Sequence, residues 1–330
     1  MAASRLKAIV AGHKWGSNHM RAFAESEVCD LVALWSRTDS ATARGLAARY
    51  TVPFYTDFER LLVEVNPDIA SIAVPESAHE ALTVAALEHG CHVYCEKVLA
   101  PSRDAGQRMV DLAKSKRRLL NVGYNYRYSP SCQYLAQAIG DGKIGRPLFA
   151  HLRAFGFCIH HMTDYVNSLF GAPTRAVSVI DKEPLADRPH PSSPDLVFPT
   201  FMYCALTYKA YMVQYKGGEV LLAAATDYSS ALNPGATLLV EGTDGRLELD
   251  DLSGRVTLRG ASRESVVYTP SQIADQIGLR ENCVSAVKDF ALAVYEGRPA
   301  PIPGDDGVSM IVLEEAVYRS AETSTWVPVT

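Results

Sequence analysis

Leu6-Lys7-Ala8-Ile9-Val10-Ala11-Gly12-His13-Lys14-Trp15-Gly16-Ser17-Asn18-His19 is an apolar run that breaks at a glycine and resumes as a helical pattern. A short buried strand, a glycine-bearing turn and a helix form the repeating unit of parallel sheets, because parallel neighbours need a long crossover. The unit recurs outward from this point. Residues 29–35, 69–74, 92–95 and 119–122 read as further strands, and 16–25, 40–50, 58–65, 79–89 and 102–115 as the helices between them. This pattern predicts a doubly wound parallel sheet over residues 1–124.

After a helix at 131–141 the texture changes. Residues 149–157, 174–180, 202–208, 212–216, 219–227, 236–241, 246–250 and 256–259 read as strands, some separated by turn signals such as Lys216-Gly217-Gly218. Residues 183–199, rich in proline, read as an irregular loop, and 272–296 and 307–323 as late helices. The fold class is therefore α/β: an N-terminal Rossmann-type domain, then a C-terminal α+β domain (125–330) on a large, mostly antiparallel open sheet.

Composition narrows the class. A chain of 330 residues, 48% of them hydrophobic, exceeds one comfortable core and fits two domains. The net charge of −5, with no basic block longer than Lys114-Ser115-Lys116-Arg117-Arg118, offers no footprint for nucleic acid. That block reads as the cationic end of a helix. Seven scattered cysteines fit buried thiols in a reducing compartment. Cys91, His92 and Cys95 invite a metal reading, but strand alternation divides them between two faces, and no metal is expected. No signal-peptide core and no membrane-length apolar run occurs, so a cytoplasmic protein without a membrane partner is expected.

Function is sought at the carboxyl ends of the strands, where open parallel sheets bind their ligands. Aligned on its last glycine, the first loop matches G-x-G-x-x-G only at Gly16, with Ala11 and His13 at the other glycine positions and Gly12 between them. Lys14, facing a ligand, would pair with phosphate. The second strand ends in Ser36-Arg37-Thr38, where an acid would bind the ribose hydroxyls of NAD. A hydroxyl and a guanidinium favour the 2′-phosphate of NADP(H), while Asp39 keeps NAD(H) open. A fourth apolar strand ends in Glu96-Lys97, which aims an ammonium at the same crevice.

These segments together resemble the Gfo/Idh/MocA family of NAD(P)-dependent oxidoreductases. The resemblance is carried by Ile72-Ala73-Val74-Pro75-Glu76-Ser77-Ala78-His79, Cys95-Glu96-Lys97, Gly123-Tyr124-Asn125-Tyr126-Arg127-Tyr128-Ser129-Pro130, His161-Met162-Thr163-Asp164 and Glu241-Gly242-Thr243-Asp244-Gly245-Arg246-Leu247. It implies cofactor contacts from Gly12, His13, Lys14, Trp15, Gly16, Ser36, Arg37, Thr38, Val74, Pro75, His79, Glu96, Lys97 and Asn125. It also implies a homodimer or homotetramer formed through the C-terminal sheet. Phe157 stands where sugar and inositol dehydrogenases of the family carry an acid, Val98 replaces a proline, and the segment before His161 is short. These departures weigh against a polyol.

A narrower similarity links Gly12-His13-Lys14-Trp15-Gly16 to thiazolinyl imine reductases of siderophore assembly, whose substrate is held on a carrier protein. The expected activity is accordingly NADPH-dependent reduction of a cyclic C=N bond or a C=O group of a small molecule. Oxidation of a sugar, sugar nucleotide or cyclitol is the alternative, and a non-catalytic cofactor-binding regulator the remote one. Hydride transfer leaves charge on the acceptor, so a proton donor is needed. Lys97, His161 and Tyr126 are the candidates, with Tyr124, Phe155, Phe157, His160 and Asp164 expected in the substrate pocket. His161 is expected at a helix start, oriented or capped by its neighbours.

Overall fold

The computed structural model describes residues 4–154, 156–181, 209–225, 236–250, 253–260, 264–269 and 279–330. The strand expected at 202–208 and the loop expected at 183–199 lie outside these residues, as does Phe155. Two compact units are present, Met1–Asn125 with Arg280–Ile311, and Tyr126–Leu279 with Val312–Thr330. The division into 1–124 and 125–330 thus misses the return of Arg280–Ile311 to the first unit. The reason is apolar burial: Cys283, Val287 and Phe290 are fully buried, and Phe290 meets Tyr94 edge-on at 5.8 Å.

The first unit runs β1 (Leu6–Ala11), α1 (Gly16–Ala24), β2 (Cys29–Trp35), α2 (Ala41–Arg49), β3 (Phe54–Tyr55), α3 (Phe58–Val65), β4 (Ile69–Ile72), α4 (His79–Glu88), β5 (His92–Cys95), α5 (Arg103–Lys116) and β6 (Leu120–Val122). Its six strands are all parallel in the order β3-β2-β1-β4-β5-β6. β4 is buried at every position because helices cover both faces, which is why the strands read as continuous apolar runs. α1 buries Met20, Ala22 and Phe23 completely, and each large apolar side chain so removed from water contributes about 2 kcal/mol. Side-chain caps start α2, α3 and α5: Ser40, Asp57 and Ser102 accept from the N–H of Ala43, Arg60 and Ala105. Lys114 and Lys116 close the last turn of α5, where cations complement the dipole.

The second unit carries α6 (Pro130–Gly140), β7 (Pro147–Ala154), α7 (Gly156–Phe170), β8 (Pro173–Ile180), β9 (Lys209–Tyr215), β10 (Val220–Ala225), β11 (Ala236–Gly242), β12 (Gly245–Asp250), β13 (Arg255–Gly260) and β14 (Glu264–Tyr268). α8 (Leu279–Glu296), α9 (Gly304–Thr323) and β15 (Val327–Pro328) follow. The sheet order is β14-β13-β12-β11-β7-β10-β9-β8-β15, antiparallel throughout except where β10 runs parallel to β7. On β7, Ala150, Leu152 and Ala154 are buried while His151 and Arg153 are exposed, the alternation of a sheet covered on one face. α7 lies against β7, β10 and β11.

The strand expected at 149–157 ends at Ala154, and residues from 156 onward are helical. Every residue from Cys158 to Val166 is buried, the polar His160, His161, Thr163 and Asp164 included, so polarity does not mark an outer face along this part of α7. The edge strands β3, β14 and β15 went unread because two to five residues carry too little pattern. No helix among the described residues is long and apolar enough to cross a membrane.

Candidate active site

Register places the cofactor candidates. Trp35, Ala11, Ile72, Cys95 and Val122 are partners in one row across the parallel sheet. The residues that follow them, Ser36, Gly12, Ala73, Glu96 and Gly123, therefore leave the sheet along one carboxyl edge. Val74 and Pro75 continue from β4, and Tyr124 and Asn125 from β6.

Gly12 has φ +108°, and a Cβ there would lie 2.0 Å from the carbonyl oxygen of Ala73. Only glycine fits this bend. At Gly16 a Cβ would stand 3.1 Å from Val10 and 3.4 Å from Ala73, so this glycine lets α1 close onto the sheet. α1 begins with no side-chain cap, unlike α2, α3 and α5, and with no acid in its first turn, unlike α3 and α5. A helix start left in this state, beside a glycine bend and Lys14, suits the pyrophosphate of a dinucleotide. The residues present thus fit the cofactor that the sequence implies.

At the end of β2, Ser36 is buried and its hydroxyl lies 3.0 Å from Nδ1 of His13. Arg37 and Thr38 are exposed beyond it. Asp39, the acid that kept NAD(H) open, is ion-paired with Arg44, which holds its carboxyl below the usual range. The buried ring of His79 sits between the carbonyls of Val98, 2.7 Å from Nδ1, and Val74, 2.9 Å from Nε2. The ring thus bridges the loops after β4 and β5, and burial, which favours its neutral form, leaves one N–H to donate to one of the two carbonyls.

Glu96 is the centre of a buried cluster. Its Oε1 accepts from the indole N–H of Trp15 at 3.1 Å and lies 3.1 Å from Nε2 of His19, whose Nδ1 meets Ser71 Oγ at 2.6 Å. Oε2 accepts from the backbone N–H of Lys97 at 3.3 Å. Gly123 leaves room for the carboxylate, since a Cβ there would come within 2.8 Å of it. Trp15 is thus an internal latch on Glu96. His19, Ser71 and Cys283 were not anticipated, and a histidine on the buried face of α1 was the one available signal. His19, Glu96 and Cys283 gather one nitrogen, one oxygen and one sulfur within 4.8 Å, the makings of a metal site in which an ion would replace the hydrogen bonds to Glu96.

Lys97 is buried, and the Lys97–Val98 peptide bond is cis. Glu76 is also buried. Burial pushes its carboxyl above the ordinary value while the ammonium of Lys97 pulls it the other way. A lysine and a carboxyl within electrostatic reach make a proton-handling pair. Cys91 and Cys95 are buried free thiols, and His92 accepts from the N–H of Leu119.

In the second unit His161 is buried and stands six residues into α7, which corrects its expected place at a helix start. The ring of Tyr126 lies 5.0 Å from it, tilted by 33°. The hydroxyl of Tyr126 donates to Cys158 Sγ at 3.2 Å. Asp164 does not cap the helix. It accepts two bonds from Arg127, Nε to Oδ2 at 2.8 Å and Nη2 to Oδ1 at 2.6 Å, and so ties the turn Asn125–Tyr128 to α7. His160 is buried beside His161, and the side chain of Phe157 lies outside the described residues.

The NAD-binding Rossmann fold of the Gfo/Idh/MocA oxidoreductases matches residues 6–124, and the C-terminal alpha/beta domain of that family matches residues 151–329. The chain belongs to the Gfo/Idh/MocA oxidoreductase family. Among its relatives, D-glucoside 3-dehydrogenase of Escherichia coli is 30% identical over 156 residues, 47% of this chain and 44% of that protein. Inositol 2-dehydrogenase 1 of Saccharopolyspora erythraea is 33% identical over 149 residues, 44% of this chain and 42% of its own length. The match therefore spans less than half of either enzyme. Levoglucosan dehydrogenase of Pseudarthrobacter phenanthrenivorans is 24% identical across 83% of each chain. Levoglucosan dehydrogenase in complex with NADH and levoglucosan has the same fold, with a TM-score of 0.85 at 21% identity over 99% of this chain and 100% of that one. An oxidoreductase from Agrobacterium radiobacter, in complex with NAD+, L-tartaric acid and magnesium, gives 0.84 at 18% identity over 99% of each chain. As a Gfo/Idh/MocA oxidoreductase, the chain carries its NAD-binding elements in the first unit.

Proposed function

We propose that this oxidoreductase interconverts a secondary hydroxyl and a carbonyl on a sugar or cyclitol, with NADP(H) preferred over NAD(H). The observation that carries the reading is the strand-end pair Glu96-Lys97, with Glu96 held by Trp15 and His19 and Lys97 buried within electrostatic reach of Glu76. Its kinship with glucoside, inositol and levoglucosan dehydrogenases supports a polyhydroxylated substrate over the cyclic imine suggested by the Gly12–Gly16 loop. The loop's tryptophan serves Glu96, which gives that motif a structural use independent of the substrate.

Nicotinamide, when bound, supplies the hydride chemistry. Gly12, Gly16 and the open start of α1 would hold the pyrophosphate, and Ser36, Arg37 and Thr38 the adenosine ribose and its phosphate. Lys97 takes the hydroxyl proton during oxidation and returns it during reduction, with Glu76 biasing its charge. In the second unit Arg127 with Asp164 holds α7, the helix that carries His161, and Tyr126 gives its hydroxyl to Cys158. Self-association through the face of the second sheet on which Val179 and Val266 are 61% and 55% exposed belongs to the same reading.

The test is turnover of myo-inositol, an alkyl glucoside, levoglucosan and a thiazoline with each dinucleotide, followed by the reduced-nicotinamide absorbance. Oxidation of at least one polyol with NADP+ is expected. Reduction of the thiazoline with NADPH and no activity on any polyol would overturn the reading in favour of the imine reductase.

A further inference from the structure

His13 occupies a position where a dinucleotide turn ordinarily has glycine, so its side chain must leave the path of the pyrophosphate. It does so by turning toward the end of β2, with Nδ1 3.0 Å from Ser36 Oγ. Ser36 is itself pinned, buried and donating its N–H to the carbonyl of Tyr55 at 3.1 Å. The imidazole therefore stands between the pyrophosphate turn and the place where the adenosine ribose meets the second strand. Its charged surroundings are almost all positive. Lys14 follows it in the loop, Arg37 follows Ser36, and the acid of that connection, Asp39, is neutralised by Arg44; β3 contributes only Tyr55.

We propose that His13, with Ser36 and Arg37, binds the 2′-phosphate of NADP(H) and sets the preference over NAD(H), taking up a proton as the phosphate arrives. This rests on the cofactor reading above and extends it to a residue and a pH dependence. Burial first, and the charge of Lys14 second, hold the imidazole below its ordinary value in the free protein, so it is neutral near neutral pH. The attraction of a phosphate dianion within reach outweighs both effects and favours the imidazolium. NAD(H), which presents a hydroxyl there, has no such linkage.

Calorimetric titration of the full chain with NADPH and with NADH, at about pH 8 and about pH 6.5, tests this without any substrate. NADPH affinity is expected to rise about tenfold toward the lower pH, with proton uptake visible as a buffer-dependent heat, while NADH affinity stays within about twofold. His13→Asn keeps a partner for Ser36 but cannot ionise. It should abolish the pH dependence and weaken NADPH alone, whereas Arg37→Gln should weaken NADPH and leave the pH dependence in place. An unchanged pH dependence in His13→Asn, or equal losses for both dinucleotides, would overturn the assignment of His13. Binding of neither dinucleotide by the wild-type chain would instead overturn the cofactor reading itself.

Discussion

At the residue scale, Gly12 and His92 show how single side chains, or the lack of one, decide stability. Gly12→Ala forces a Cβ to within 2.0 Å of a backbone carbonyl at a φ of +108°, and no side-chain movement relieves that contact. A loss of about 2–3 kcal/mol in urea unfolding and of dinucleotide binding is expected. His92 is held down to about 4 by burial and then by Arg118, and its Nδ1 accepts from Leu119, which needs the neutral ring. The unfolded imidazole binds a proton near pH ~6.5, so between there and about pH 4 the unfolded state carries the extra proton. Melting temperature should fall as pH drops through that window, and His92→Asn should flatten the fall. Lys97 and Gly12 were readable in the sequence because their residue types are unusual where a strand ends. The partners of Glu96 were not, since Trp15 and His19 come from 81 and 77 residues away and only folding brings them together.

Elements differ in how openly they declare themselves. α3 shows its apolar stripe at Phe58, Leu61 and Leu62 and its cap at Asp57, so the sequence marks both its start and its buried side. α7 is harder to bound, because residues 158–166 are buried on every side, the polar His160, His161, Thr163 and Asp164 included, so polarity marks no outer face there. Its placement depends on polar ties that the sequence does not advertise. Thr163 and Tyr211 share a hydrogen bond of 2.5 Å, Tyr215 donates to Asn167 at 2.7 Å, and Arg127 grips Asp164. Beside them Lys209 of β9 pairs with Glu314 of α9, both nearly buried, with Nζ 5.0 Å from the ring centre of Tyr318. Removing one member leaves a buried charge, so Lys209→Met should cost about 3–5 kcal/mol. The double variant Lys209→Met/Glu314→Leu should recover most of that loss, and urea unfolding of the three proteins measures it.

At the scale of the whole molecule, alternation of strand and helix fixed the first unit and one-sided strands the second, as local periodicity can. The assignment of Arg280–Ile311 to the first unit was beyond reach, because apolar helix faces match many partners and only tertiary packing selects one. On the proposed self-association through the sheet face that carries Val179, a dimer or tetramer is expected in sedimentation, and Val179→Lys should shift it toward monomer. The central claim is that Lys97 moves the proton of the reacting hydroxyl. Its most direct measurement compares Lys97→Met with the wild-type chain, on whichever polyol the wild type oxidises, together with dinucleotide affinity. The account predicts turnover lowered at least about a hundredfold with dinucleotide affinity within about threefold. Turnover within about twofold of wild type would contradict it.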